Sequence, residues 1–395
     1  MVDVVIGAAV LVFAWWNAEL FLAEYHYQKG LKEKEAGRQE QALTQFEKAV
    51  EILPERAQYQ RTLGQTSHDA YKPGSGNLRP LYRAYDAYRE VLIDDPEYPY
   101  GWFEIARVLE DFRDAKVSGL PSPDSFFKHA VEIDPANPRF LAGLLEWEIK
   151  QGRPAQQCWS LFMELVKSYP QAISLFGDVM LKNEGDLERL GKEVATDREA
   201  NLFLANYLLK AGKPERAYEQ LDLIKGPEAQ ERDVWELRAR ILISLGRTEE
   251  AGRVLAEALK QTPADPTLSL LLFNVLKDQG DWKGAIAVNQ EVLKSHPDRL
   301  AAAMNAAQLA RRQGQDDLAV ELYQKALDSG KAPAWARKEI YKFRGEVKYK
   351  RGDLGGALAD YEKCLQLAPN DQDISLAMKK IKLEMEYEKY RSGDR

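Results

Sequence analysis

The sequence predicts an all-α array of paired helices, and three observations carry that prediction. Gly212, Gly246, Gly280 and Gly314 stand 34 residues apart. Ala217, Ala251, Ala285 and Ala319 repeat the same step, five residues behind the glycines. Pro263 and Pro297 close two of the units, so that GRTEEAGRVLAEALKQTP (246–263) and GDWKGAIAVNQEVLKSHP (280–297) align column by column. A period of this length is one supersecondary unit of two short helices, which buries its apolar face by stacking on copies of itself.

Each column has a mechanical reason. Glycine ends the first helix, where a cap needs a positive φ. The alanine lies in the second helix, where a small side chain lets two helices approach. A large residue follows four later (Leu255, Tyr323, Tyr361), then a small one three after that (Ala258, Ala326, Cys364), which marks one helical face. Proline then ends the helix because it has no N–H to donate.

These columns resemble the tetratricopeptide repeat (TPR) family. The resemblance implies a right-handed solenoid of about ten helix-turn-helix units. Residues 1–23 read as an anchor helix and 24–171 as a first sub-array of about four units. Residues 172–197 are a degenerate junction, 198–371 hold five regular units, and 372–395 are a capping helix and tail.

Taken in order, residues 4–16 are uninterrupted apolar sequence, and 4–23 has about the 20 residues that a helix needs to cross a bilayer. Trp15 and Trp16 stand where interfacial anchors would. A single-pass inner-membrane helix is expected; a cleaved signal peptide and a helix packed on the array are the alternatives. Lys29, Lys32, Lys34 and Arg38 follow the run, which favours a cytoplasmic over a periplasmic array. GRQEQALTQFEKAVEILP (37–54) fills the repeat columns directly after it. The second unit carries an insertion at Lys72-Pro73-Gly74-Ser75-Gly76-Asn77, and the third a loop with Gly119, Pro121 and Pro123, both turn chemistry. The ninth has a short insertion at Lys331-Ala332-Pro333, and the tenth begins near residue 338. Asp373 is a candidate cap for the last helix, in which Ile374, Met378, Ile381 and Met385 share a face.

The net charge of -7 argues against nucleic acid as the main partner. No HExxH, GxSxG or CxxC pattern occurs. Cys158 and Cys364 occupy small-residue packing positions, and the four histidines lack ligand spacing. A non-enzymatic protein is expected, with no cofactor, metal or small-molecule substrate.

In the family resembled, the first helix of each unit lines a concave groove, and the ninth position of a unit faces it. Here that column reads Asn206, Arg240, Asn274 and Gln308. Neighbouring groove positions add Glu236, Lys277, Arg311, Lys342 and Tyr349. Asn and Gln both donate and accept, so such a ladder suits an extended peptide; a wet concave surface would be polar as well. The subtype that clamps acidic chaperone tails is not matched, because its cation positions hold Leu270, Glu339 and Phe343. WWNAELFLAEYHYQKG and AVEILPERAQYQRTLG, within residues 10–137, resemble the last membrane helix and TPR arm of bacterial O-antigen ligase/polymerase-type proteins. The expected function is a membrane-anchored scaffold binding protein partners, in a bacterial envelope assembly. An accessory of O-antigen or exopolysaccharide synthesis and a soluble adaptor with its apolar start packed in the fold are the alternatives.

Overall fold

The computed structural model describes the backbone of residues 2–392 and the side chains of residues 18–391. Among the described residues there are 21 α-helices and no strand. By contacts the chain divides into two compact units, Met1–Glu188 and Arg189–Arg395.

The first unit holds α1 (Val2–Glu35), α2 (Gln39–Ile52), α3 (Ala57–Asp69), α4 (Arg79–Asp94), α5 (Pro99–Asp114), α6 (Pro123–Ile133), α7 (Pro138–Lys150), α8 (Ala155–Ser168) and α9 (Ala172–Met180). Helix α10 (Glu184–Glu193) runs across the division. Successive helices form antiparallel-type pairs because the alanine column is fully buried where they meet: Ala42, Ala84 and Ala130 expose nothing. Bulky residues of the second helix fit small ones of the first. A Cβ on Gly64 would lie 2.9 Å from the Tyr88 ring, so only glycine lets α3 and α4 close to this distance.

The expected membrane anchor is corrected. No helix among the described residues is long and apolar enough to cross a membrane. The end of the 4–23 stretch serves the fold instead. Ala23 and Tyr27 are buried in one cluster with Phe46 and Tyr59. The Tyr27 and Tyr59 rings stack at 4.8 Å, and the Tyr59 hydroxyl donates to Glu24 at 2.8 Å. The single-pass placement and the choice of membrane side that rested on it fall together. The side chains of residues 4–17, with Trp15 and Trp16, lie outside the described residues.

The second unit is the regular one. Its first helices are α11 (Arg198–Lys210), α13 (Arg232–Ser244), α15 (Pro266–Asp278), α17 (Leu300–Arg312) and α19 (Ala334–Lys350), which start 34 residues apart. Their partners are α12 (Pro214–Leu221), α14 (Thr248–Gln261), α16 (Trp282–Ser295), α18 (Asp316–Asp328) and α20 (Leu354–Leu367). The glycine column closes each first helix by a Schellman motif. After α13, Gly246 N–H donates to Ile243 at 3.0 Å and Arg247 N–H to Leu242 at 2.9 Å, with Gly246 at φ 72°.

Helix α19 departs from its siblings. It has 17 residues where α13, α15 and α17 have 13, and it begins at Ala334 behind Pro333, not near 338. Lys331, Ala332 and Pro333 stay outside the helix, and α19 carries about one additional turn directly behind Pro333. That turn carries Trp335, which is 65% exposed.

Helix α21 (Gln372–Ser392) packs on α20, with Ile374, Met378 and Ile381 buried against Ala357, Tyr361 and Cys364, while Met385 is exposed. Its cap is Asp371 and not Asp373: Ile374 N–H donates to the Asp371 carboxylate at 3.2 Å.

Candidate interaction surface

The residues singled out from the sequence fall into separate groups along the first-helix side of the second unit. Asn206, on α11, shares a cavity of about 190 Å³ with Glu236 and Arg240 of α13, over an apolar floor of Leu202, Phe203 and Leu237. Glu236 is held by Arg232 at 3.0 Å and by Arg240 at 3.6 Å, so this end is internally neutralised. The Asn206 side chain has no hydrogen bond to another described residue.

Asn274 and Lys277 lie one turn apart on α15, and Lys277 donates to the Asn274 side chain at 3.3 Å. Their capacity is thus partly spent on each other. Gln308 and Arg311, on α17, line a cavity of about 410 Å³ with Met304, Arg312, Tyr323, Trp335 and Glu339. The Arg311 guanidinium lies over the Phe343 ring at 4.6 Å and reaches Glu346 only at 3.8 Å. Gln308 is exposed and unengaged by other described residues.

Two of the nine lie elsewhere. Lys342 stands toward Asp371, whose carboxyl it helps to hold below the usual range after the stronger effect of Lys338, 2.6 Å away. Tyr349 donates to Glu384 of α21 at 2.7 Å and faces that helix, in a cavity of about 900 Å³ with Leu354, Leu383 and Tyr387. Its hydroxyl is used inside the fold. Sequence spacing alone placed it on the same helical face as Lys342, and the helix that covers it lies 35 residues away. Trp335 and Arg312 went unnoticed; the insertion before α19 was the signal that pointed to the tryptophan.

The first unit presents a different surface. Its first helices are laced together: Lys34 pairs with Asp69 at 3.5 Å and Lys150 with Glu110 at 3.0 Å, and the His68 imidazole and the Asp111 carboxylate share a hydrogen bond of 2.7 Å. Glu104 is pushed up by burial, against the pull of Arg139, which pairs with it at 2.5 Å. Charges on this face are mostly spoken for.

Tetratricopeptide repeat models match residues 197–266, 270–334 and 339–371. These stretches are TPR units, as the column pattern and the helix pairs require. Human tetratricopeptide repeat protein 16 is 22% identical over 273 residues, which is 64% of this chain and 28% of that protein. The chain thus spans under a third of that relative. Among solved structures, MamA residues 41 to the end from Desulfovibrio magneticus RS-1 is 20% identical, with a TM-score of 0.33, covering 48% of this chain and 99% of that one. YrrB, described as a TPR protein with an unusual peptide-binding site, is 17% identical with a TM-score of 0.37, covering 49% and 97%. These relatives lend no support to the narrower likeness of residues 10–137 to O-antigen ligase arms.

Proposed function

We propose that the chain is a non-enzymatic scaffold that binds segments of other proteins along the groove formed by α11, α13, α15 and α17. One observation carries this reading. Asn206 and Gln308, in the same column of two repeats, keep their amide groups free of other described side chains. Side-chain amides both donate and accept, which matches a peptide backbone that must find partners for both its N–H and C=O groups. The contrast with the ion-paired first unit favours the second as the receiving surface.

A photo-crosslinking residue at Gln308, compared with one at Glu257 on the exposed side of α14, tests the reading in cells. Protein adducts formed from position 308 and not from 257 are expected. Equal adducts from both positions would remove the groove as the binding surface.

A second reading concerns the amino terminus. Burial of Ala23 and Tyr27 against Phe46 favours an adaptor whose first helix belongs to the array. Truncation before residue 24 would then lower the unfolding temperature; an unchanged temperature would oppose that role.

A further inference from the structure

The cavity between α17 and the additional turn of α19 has a chemistry distinct from the rest of the surface. It brings an exposed indole, Trp335, together with two guanidinium groups, Arg311 and Arg312, and the amide of Gln308. Helices α17 and α19 carry eight lysines and arginines against two acids, Glu339 and Glu346, in a chain whose net charge is -7.

Half of that positive charge is committed. Lys338 pairs with Asp371, Arg344 and Lys348 with Asp360, and Lys350 with Asp316. Of the remaining four, Arg311 and Arg312 are the two that line this cavity. Arg312 has no ion-pair partner among the described residues, and Arg311 meets Glu346 at the outer limit of pairing, 3.8 Å. Phe343 beneath Arg311 holds the guanidinium plane in place without neutralising it. Glu339 is the single acid among the lining residues, so the cavity is net positive.

Resting on the groove reading above, we infer that this cavity selects the partner: a protein segment with an aspartate or glutamate next to a large apolar residue. The carboxylate would take Arg312, with Arg311 beside it although that guanidinium also hydrogen-bonds Tyr323, the apolar side chain would lie on Trp335, and Gln308 would bond the backbone between them. An aromatic platform beside unpaired cations gives both apolar burial and charge selection, and Glu339 rejects runs of acid too dense to avoid it.

Selection of random twelve-residue peptides displayed on phage against the full chain, followed by fluorescence polarisation of the enriched peptides, tests this. Acid-plus-aromatic or acid-plus-leucine peptides are expected. Their affinity should fall more than tenfold in R312E and at least fivefold in W335A, with circular dichroism unchanged because both side chains are exposed. Enrichment of basic or uncharged peptides, or full affinity in both variants, overturns the inference. Loss of affinity in the N206A/R240A pair alone leaves the groove standing and removes only this cavity. Insensitivity to every groove change, Q308A and N274A included, or no enriched peptide at all, removes both.

Discussion

Arg344 donates from its Nε to one oxygen of Asp360 at 2.8 Å, and from a second nitrogen to the other, across the gap between α19 and α20. Asp360 is 1% exposed, and Lys348 reaches the same carboxylate at 2.9 Å. Burial by itself would raise this carboxyl; the bonds from Arg344 and Lys348 more than reverse that and hold it below the usual range. A depressed native value means that the folded state binds the proton less readily than the unfolded chain. The stabilisation is therefore complete above the unfolded carboxyl value, about 4, and drains away as pH falls through the native one. D360N should cost roughly 3 kcal/mol at pH 7, because it leaves the half-buried Arg344 and Lys348 without their buried counter-ion. Urea unfolding midpoints of the two proteins should converge toward pH 3. A gap of equal size at both pH values would show that charge pairing is not its source.

Lys116 occupies the position that glycine fills after α1, after α7 and after the first helices of the second unit. Its N–H donates to Arg113 and that of Val117 to Phe112, both at 2.9 Å, which is the same Schellman closure, yet its φ is 60°. A side chain in that region is strained by about 1 kcal/mol, partly offset by the extra freedom that glycine has when unfolded. K116G should therefore raise stability by about 0.5 kcal/mol, read as a higher thermal midpoint. K116A, which keeps the Cβ, should give no such gain.

The repeat period was legible because glycine, alanine and proline each answer a local backbone or packing demand that recurs every 34 residues. Helix pairing followed from it, and so did the position of Asn206 beside Arg240. Features that depend on which other helix covers a side chain were not legible. Tyr349 satisfied the groove spacing but is taken by Glu384. Lys331-Ala332-Pro333 read as a loop insertion and those three residues do lie outside the helices; what was not legible is that the helix behind Pro333 starts at once and runs about one turn longer than its siblings. The apolar start matched a membrane helix by length and composition, yet Ala23 and Tyr27 pack against Phe46; hydropathy does not say whether lipid or a neighbouring helix covers a face.

Gly345 shows how the large column is accommodated. A Cβ placed on it would lie 2.9 Å from the Tyr361 ring, which belongs to the paired helix. The ring is buried and its hydroxyl is pushed up to about 12 by that burial, so it has little room to withdraw. G345A should destabilise by about 2 kcal/mol, as overpacking in a close-packed core does, even though alanine is the better helix former. G345A combined with Y361L should recover part of the loss. Failure of the second change to recover any would place the strain somewhere other than this ring.

Asn289 occupies the column that holds Leu255 one repeat earlier and Tyr323 one repeat later. It is 2% exposed, and its Nδ2 has no hydrogen-bond partner. The second unit thus carries a polar group in its core with part of its bonding capacity unmet. Leaving such a donor unpaired costs about 1–3 kcal/mol, whereas an apolar group of similar reach has no such cost. N289L should raise the urea midpoint by the equivalent of about 1 kcal/mol, the lower end being expected because leucine must also find room in a close-packed helix pair. N289D places a charge in the same buried position and should destabilise by more than N289L stabilises. If N289L lowers the midpoint instead, Asn289 is using its amide in a way that outweighs the unmet bond, and the column is set there by shape rather than by polarity.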